Sequence, residues 1–213
     1  MLSCAGMTDA RKGREMRAME MRWCNGAGLG IAMICLAIFG NASAEETTYR
    51  IDPEHTFTSF EYMHWGLSLQ RSRFNKQSGT VKLDMDAKSG SIDLTIDTDS
   101  VSTGSGEFDK TLVSESFFDA KTYPNMHFLS NAMEFDGDNM VRVTGDLTIK
   151  DVTKPITLEV SHFACRFMVL YLKQACGANG SAKILRSDFG LGRYAPFVAD
   201  EASLYFSIEA IKQ

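Results

Sequence analysis

Apolar and polar residues alternate with a period of two along much of this chain. In SIDLTIDTD, residues 91–99, Ile92, Leu94 and Ile96 fall on one side and polar residues fall on the other. Successive side chains of a β-strand point to opposite faces of its sheet, so the pattern predicts a strand with one buried and one solvated face. Repeated segments of this kind are typical of an antiparallel sheet that packs one side into a core.

Four further segments alternate in the same way, and turn residues separate them. Hairpin turns are predicted at Lys88–Gly90, Asp136–Asn139 and Lys150–Pro155. Residues 105–116, SGEFDKTLVSES, lack the alternation and predict a short helix or loop. The inward-facing residues that the alternation predicts include Val81, Leu83, Val141, Val143, Leu147, Ile149, Ile156, Leu158, Leu204 and Phe206.

About eight strands and one short helix indicate an all-β fold. An eight-stranded antiparallel barrel closes the sheet on itself, which removes its edges, and it can hold one elongated apolar ligand inside. A β-sandwich is the alternative architecture for the same pattern.

The first 44 residues have the pattern of a secretory signal peptide. Arg17 and Arg22 precede an apolar stretch, Ala27–Gly40, and Ala42-Ser43-Ala44 offers the small residues that a signal peptidase cuts. The stretch is shorter than the roughly 20 residues of a membrane-spanning helix, so we expect cleavage, with an uncleaved anchor as the alternative. The sequence therefore predicts a periplasmic protein whose mature part, residues 45–213, is one domain.

Removal of that segment changes the charge and the cysteine content. The net charge of −5 becomes about −7, because the segment carries five basic and three acidic residues. So acidic a chain disfavours nucleic acid and anionic lipid headgroups as partners. Cys165 and Cys176 remain as an even pair in an oxidising compartment, which predicts a disulfide, with two buried free thiols as the alternative.

Motifs of common catalytic sites are missing from the sequence. It contains no Gly-x-Ser-x-Gly, no His-Glu-x-x-His and no phosphate-binding Gly-x-x-x-x-Gly-Lys. The spacing of His55 and His64 favours structural or headgroup contacts over a metal site. We therefore expect no enzymatic activity, no metal and no cofactor.

Four segments of the sequence carry a family resemblance: YRIDPEHTFTSFEYMHWG (49–66), SESFFDAKTYPNMHFLS (114–130), GDLTIKDVTKPITLEV (145–160) and RSDFGLGRYAPFVADEASLYFSIEA (186–210). Together they resemble the YceI-like family of periplasmic polyisoprenoid-binding proteins. The resemblance implies a lipocalin-like, eight-stranded antiparallel barrel with a short helix at its mouth. It also implies an apolar tunnel for the tail of a polyisoprenoid or an isoprenoid quinone.

The chain departs from the family pattern in the short helix. Many members have Arg-Asp-x-His-Leu there, whereas this chain has Phe108–Leu112, with Thr111 in place of the histidine. We expect that difference to alter which headgroup is preferred rather than whether a tail binds. The two late cysteines resemble a subset of the family linked to quinone-type ligands.

The resemblance and the alternation together predict the residues that contact the ligand, with a packed, ligand-free core as the alternative. The predicted ligand-binding residues are Phe60, Tyr62, His64, Val81, Leu83, Leu112, Phe117, Phe118, Phe128, Val143, Leu147, Leu158, Phe167, Leu170, Leu204 and Phe206.

The late segment CRFMVLYLKQAC, residues 165–176, has six consecutive apolar residues between its cysteines. We hypothesise a disulfide-held arm, with Phe167 and Leu170 folding over the tunnel mouth or making transient contact with a membrane. An ordinary buried strand pair is the alternative. The function predicted from sequence is a non-enzymatic lipid carrier, and the alternatives are an exported enzyme acting on a lipid-like substrate and a ligand-free envelope protein.

Overall fold

Antiparallel strands make up most of residues 46–213, the part of the chain that the computed structural model describes. The predicted signal segment, residues 1–44, lies outside this part. Helix α1 spans Gly106–Val113, and two 3-10 turns span Thr98–Ser100 and Arg186–Phe189. The strands are β1 (Thr47–Ile51), β2 (Phe57–His64), β3 (Ser68–Phe74), β4 (Gln77–Asp84), β5 (Ser89–Asp97), β6 (Val101–Ser102), β7 (Asn125–Asp136), β8 (Asn139–Ile149), β9 (Val152–Met168), β10 (Lys173–Leu185) and β11 (Glu201–Lys212).

Eight of these strands form a closed ring. Their order is β1, β4, β5, β7, β8, β9, β10 and β11, and β11 pairs back onto β1 with Tyr49 opposite Lys212. Every pairing in the ring is antiparallel. The prediction of an all-β, eight-stranded antiparallel barrel with one short helix is therefore confirmed, and the sandwich alternative is wrong.

Two strands, β1 and β2, pair with the same edge of β11. Its last residues pair with β1, and Ser203–Ser207 pair with β2. Strand β2 pairs in turn with β3, and β3 with β6, which extends the wall at one end of the barrel. The break between β1 and β2 is held by Thr56, whose hydroxyl donates to the carbonyl of Glu209 at 3.2 Å. The two short strands therefore act as one interrupted strand beside β11.

The three predicted hairpin turns are present. They join β4 to β5, β7 to β8 and β8 to β9, and each contains a residue with positive φ: Lys88 (52°), Gly137 (60°) and Lys150 (58°). Left-handed conformations suit tight hairpins because they match the twist of the paired strands.

The faces that alternation predicts are the buried ones, with one exception. Leu94 and Ile96 of β5 are fully buried, whereas Val141 of β8 is 37% exposed. Glu134 pairs with Arg142 and the next residue of β7 pairs with Met140, so Val141 is the extra residue of a bulge. A bulge reverses the faces beyond it, and Met140 therefore points inward where Val141 was predicted.

Inward-facing side chains fill the half of the barrel where β1 pairs with β11. They form a continuous apolar core that includes Tyr49, Ile51, Leu83 and Leu158.

Among residues 46–213, no helix has the length and apolar character needed to cross a membrane.

Candidate functional site

An apolar cavity opens at the other end of the barrel. Strands β2 and β11 form part of its wall, and helix α1 and the loop of residues 190–199 border it. The void measures about 1050 Å³ when its open mouth is included. A cleft of this kind, lined mainly by apolar and aromatic side chains with a few polar groups, is the usual form of a small-molecule site.

Three phenylalanine rings form one wall of the cavity. The ring centres of Phe60 and Phe74 are 5.6 Å apart, those of Phe74 and Phe118 are 5.4 Å apart, and those of Phe60 and Phe118 are 6.1 Å apart. These distances suit the tilted and edge-on contacts that aromatic rings prefer, so the wall is held in place without a ligand.

Two further rings mark the boundary between the cavity and the packed half. Phe206 of β11 lines the cavity, and Phe128 of β7 lies behind it with its ring centre 6.0 Å away. Phe128 is fully buried and does not line the void.

Nine of the predicted ligand-binding residues surround the cavity. Alternate positions of β2 and β11 supply five of them, helix α1 and the segment that follows it supply three, and β8 supplies one. They are Phe60, Tyr62, His64, Leu112, Phe117, Phe118, Leu147, Leu204 and Phe206.

Five other predicted residues lie elsewhere. Val81, Leu83, Phe128, Val143 and Leu158 point inward but belong to the packed core and do not line the cavity. Alternation identifies the face on which a side chain lies but not its level along the barrel axis. The structure therefore corrects the prediction that these five border the site.

Phe167 and Leu170 lie at the far end of the barrel. Strand β8 ends beside the cavity, where Ile149 lines it, and β9 then runs back the length of the barrel to Met168. Phe167 is 63% exposed and Leu170 is 81% exposed. The hypothesis that this segment folds over the mouth of the cavity is therefore wrong.

The predicted disulfide between Cys165 and Cys176 is confirmed. The two residues are direct partners in the β9–β10 hairpin, and their Cα atoms are 4.0 Å apart. The bond joins the hairpin at the base of its projecting end, as the sequence predicted.

Helix α1 places Thr111 and Leu112 at the cavity. Leu112 is buried against the core. Thr111, which stands where many relatives have histidine, turns its hydroxyl back to its own helix and donates to the carbonyl of Glu107 at 3.1 Å. The side chain of Asp109 holds the start of the helix, accepting from both the amide and the hydroxyl of Thr103 at 2.7 Å.

Arg186 is a cavity residue that sequence reasoning missed. Its guanidinium donates to the backbone carbonyls of Ala199 (2.8 Å), Leu191 (2.6 Å) and Val198 (3.0 Å). Only 9% of this residue is exposed, and burial lowers the pKa of its guanidinium. These bonds hold the 190–199 loop against the barrel. In the sequence, the feature that could have pointed to Arg186 is its position directly after the apolar strand end Ile184-Leu185.

A few polar side chains line the inner wall of the cavity near its mouth. The guanidinium carbon of Arg186 lies 5.9 Å from the ring centre of Tyr62, and burial raises the pKa of the Tyr62 hydroxyl. The other polar side chains of the lining are Thr58, His64, Thr111, Arg193 and Tyr194. The lining contains no carboxylate, thiol or serine, so it offers surface for an apolar chain and donors for a polar end.

The sequence profile of the YceI-like domain matches residues 49–210. Protein YceI of Escherichia coli O17:K52:H18 is 34% identical over 188 residues, which cover 87% of this chain and 97% of the relative. Protein YceI of Salmonella arizonae is 32% identical over the same length and with the same coverage.

Solved structures share the fold. BcnA of Burkholderia cenocepacia is 29% identical and superposes with a TM-score of 0.63, over 75% of this chain and 99% of its own. A polyisoprenoid-binding domain from Saccharophagus degradans is 17% identical with a TM-score of 0.60, over 78% of this chain and 99% of its own. The profile match and the extent of the similarity show that this chain belongs to the YceI-like family.

Proposed function

We propose that this protein is a periplasmic carrier that holds the tail of a polyisoprenoid or isoprenoid-quinone lipid in the cavity. The observation that carries the proposal is the cavity itself: an apolar void open at one end of a barrel whose other half is packed. The Saccharophagus degradans neighbour, described as a polyisoprenoid-binding domain, supports the same class of ligand.

The apolar tail supplies most of the binding energy. Burial of one methylene from water contributes about 0.8 kcal/mol, so 15 to 20 of them contribute roughly 12–16 kcal/mol before ordering costs. A hydrogen bond to a charged group contributes only about 1.5–3 kcal/mol. The polar end of the lipid, placed near Arg186 and Arg193, therefore selects among lipids more than it determines whether one binds.

Exchange with a membrane follows from the same energetics. A bilayer interior is as apolar as the cavity, so transfer from the membrane cancels most of the hydrophobic gain. Binding from the membrane is then reversible, as a carrier requires. The predicted signal segment and the disulfide support an exported location, since disulfides persist in oxidising compartments.

Extraction of the purified protein tests the proposal. The full chain is expressed in a bacterium that makes isoprenoid quinones, and the processed protein is extracted with organic solvent for mass spectrometry. We expect close to one prenyl-chain lipid per protein. Ala202→Phe, which places a ring in the cavity, should reduce the lipid at least tenfold, and Tyr205→Phe on the outer face of the same strand should leave it unchanged.

Two results would contradict a carrier. A folded protein that stays empty after incubation with vesicles containing a polyprenol or ubiquinone would exclude this ligand class. Chemical alteration of either lipid during the incubation, lost in Ala202→Phe, would indicate an enzyme acting on a lipid-like substrate.

A further inference from the structure

The β9–β10 hairpin ends in an apolar tip that the cavity does not use. We call residues 166–175 the arm. Above the disulfide, Phe167 pairs with Gln174 and Met168 with Lys173, and residues 169–172 form the turn, where the amide of Tyr171 donates to the carbonyl of Met168 at 3.2 Å. The arm is thus an ordered hairpin with a defined end.

The arm projects beyond the wall of the barrel. On one side, β8 pairs with β9 only as far as Glu159, and on the other side β11 pairs with β10 only as far as Ala175. Strands rise about 3.3 Å per residue, so the three residues from Arg166 to Val169 extend roughly 10 Å past the last neighbouring pair. Neither side of this extension is covered by another strand.

The tip exposes large apolar side chains to solvent. Val169 is 77% exposed and Leu172 is 73% exposed, in addition to Phe167 and Leu170. Single exposed apolar residues are common on protein surfaces, but a contiguous group of them marks a site of interaction with a protein or a membrane. The arm projects about 10 Å beyond the barrel wall. This length matches the 5–10 Å by which interfacial segments enter the boundary between headgroups and acyl chains.

The charge of the arm differs from that of the rest of the protein. Arg166 and Lys173 flank the apolar tip, and no Asp or Glu occurs between Glu159 and Asp188 in a chain that is acidic overall. Basic residues beside an apolar tip suit lipid phosphate groups at the height where the tip enters the bilayer. We propose that the arm docks the protein onto a phospholipid bilayer, with its apolar tip inserted and Arg166 and Lys173 at the phosphates.

The proposal also sets the orientation of the docked protein. The cavity mouth lies at the opposite end of the barrel, so it faces away from the bilayer that holds the arm. Apolar residues are exposed at the mouth end as well, including Trp65, Leu67 and Phe197, and helix α1 carries Glu107 there, in an ion pair with Lys110. The arm carries Arg166 and Lys173 and no acidic residue, so no negative charge within the arm offsets its attraction to an anionic surface. This inference does not depend on what the cavity holds.

Vesicle sedimentation tests the docking. The processed protein is mixed with vesicles of phosphatidylcholine and phosphatidylglycerol at 7:3, and with vesicles of phosphatidylcholine alone. We expect binding to the first that falls at least tenfold in Phe167→Ser/Leu170→Ser. Leu67→Ser is the matched control, because it removes an equally exposed leucine at the mouth end, and it should bind as the unmodified protein does. Arg166→Gln/Lys173→Gln should weaken binding to the anionic vesicles and leave binding to the neutral vesicles nearly unchanged.

Tryptophan fluorescence tests the orientation. From residue 45 onward Trp65 is the only tryptophan, and it lies at the mouth end. Brominated lipids should quench a Trp65→Phe/Leu170→Trp variant and should leave the native Trp65 unquenched. Quenching of Trp65 alone would show docking through the mouth. Vesicle binding unaffected by the arm substitutions would also overturn the proposal, as would a solution dimer that does not bind vesicles and that Leu170→Ser dissociates.

Discussion

Ala202 and Ala210 lie eight residues apart on β11 and both point into the barrel, but Ala202 borders the cavity whereas Ala210 lies in the packed core. The pair therefore separates the effect of empty space from the effect of burial. Both are fully buried alanines in the same strand, so differences between their variants report on the room around them.

A phenylalanine should destabilise the protein more at Ala210 than at Ala202. Ala210→Phe should destabilise the protein by about 1–3 kcal/mol, because overpacking forces its neighbours to move. Ala202→Phe should change the free energy of unfolding by less than about 1 kcal/mol, because its ring enters the void. Urea unfolding of both variants measures the difference. Equal destabilisation would mean that the cavity is not available to side chains.

Arg186→Met should destabilise the protein by about 2–4 kcal/mol, because three buried carbonyls lose a charged donor. Urea unfolding measures the loss, and Arg193→Met, at an exposed position of the same loop, is the control and should cost less than about 0.5 kcal/mol. If Arg186→Met unfolds at the same urea concentration as the control, the guanidinium does not anchor the loop.

Gly145→Ala should destabilise the barrel by at least about 2 kcal/mol. A Cβ at Gly145 would lie 2.5 Å from the carbonyl oxygen of Leu129 and 2.8 Å from the ring of Phe128. Gly177→Ala is the matched control in β10, because its nearest neighbour would be 3.5 Å away, and it should be neutral or stabilising by about 0.4–1 kcal/mol. Thermal unfolding of the two variants checks the contrast, and equal melting temperatures would contradict the close packing at Gly145.

Reduction of the Cys165–Cys176 disulfide should lower the free energy of unfolding by about 2–3 kcal/mol, the value expected from chain entropy for a loop of this size. The hairpin pairs on both sides of the bond, so the barrel should keep its strand content in circular dichroism. Cys165→Ala/Cys176→Ala should show the same loss and no response to reductant. A response in that variant would mean that the reductant acts elsewhere.

The stabilising effect of His55 should decrease as the pH rises. Its ring nitrogen lies 2.8 Å from a carboxylate oxygen of Asp52, and this hydrogen bond raises the pKa of the imidazole, with the charge of Asp52 adding to the effect. Because the folded pKa is raised, the contribution is complete below the ordinary value of about 6.5 and is lost as the pH rises through the higher pKa of the folded state. The stability difference between the unmodified protein and His55→Gln should therefore be larger at pH 5.5 than at pH 9. Equal differences at the two pH values would contradict the pairing.

The barrel and most of its inner face could be predicted because strand geometry has a period of two. Leu94 and Leu204 are buried for that reason. Val141 was misplaced because a bulge adds a residue without leaving a composition signal, and the faces change beyond it.

The position of the cavity along the barrel axis was not predictable from alternation. Val81 and Phe60 both point inward, yet only Phe60 borders the void, because the level of a residue depends on strand stagger and not on local pattern. The location of the arm could not be predicted without the strand lengths, because the length of β9 places the tip of the arm at the opposite end of the barrel from the mouth. Arg186 was missed because its partners are carbonyls, which carry no side-chain signature in a sequence.

The pairing of β1 with β11 affects the order in which the protein can assemble. When the chain emerges with its amino-terminal end first, β1 and β10 are present before their shared neighbour β11. Until it arrives, both strands have unpaired edges on which other chains can add. Pairing between the two ends of a long chain is also slow, because the intervening loop must close first. Completion of the barrel is therefore one late event that waits for the last strand.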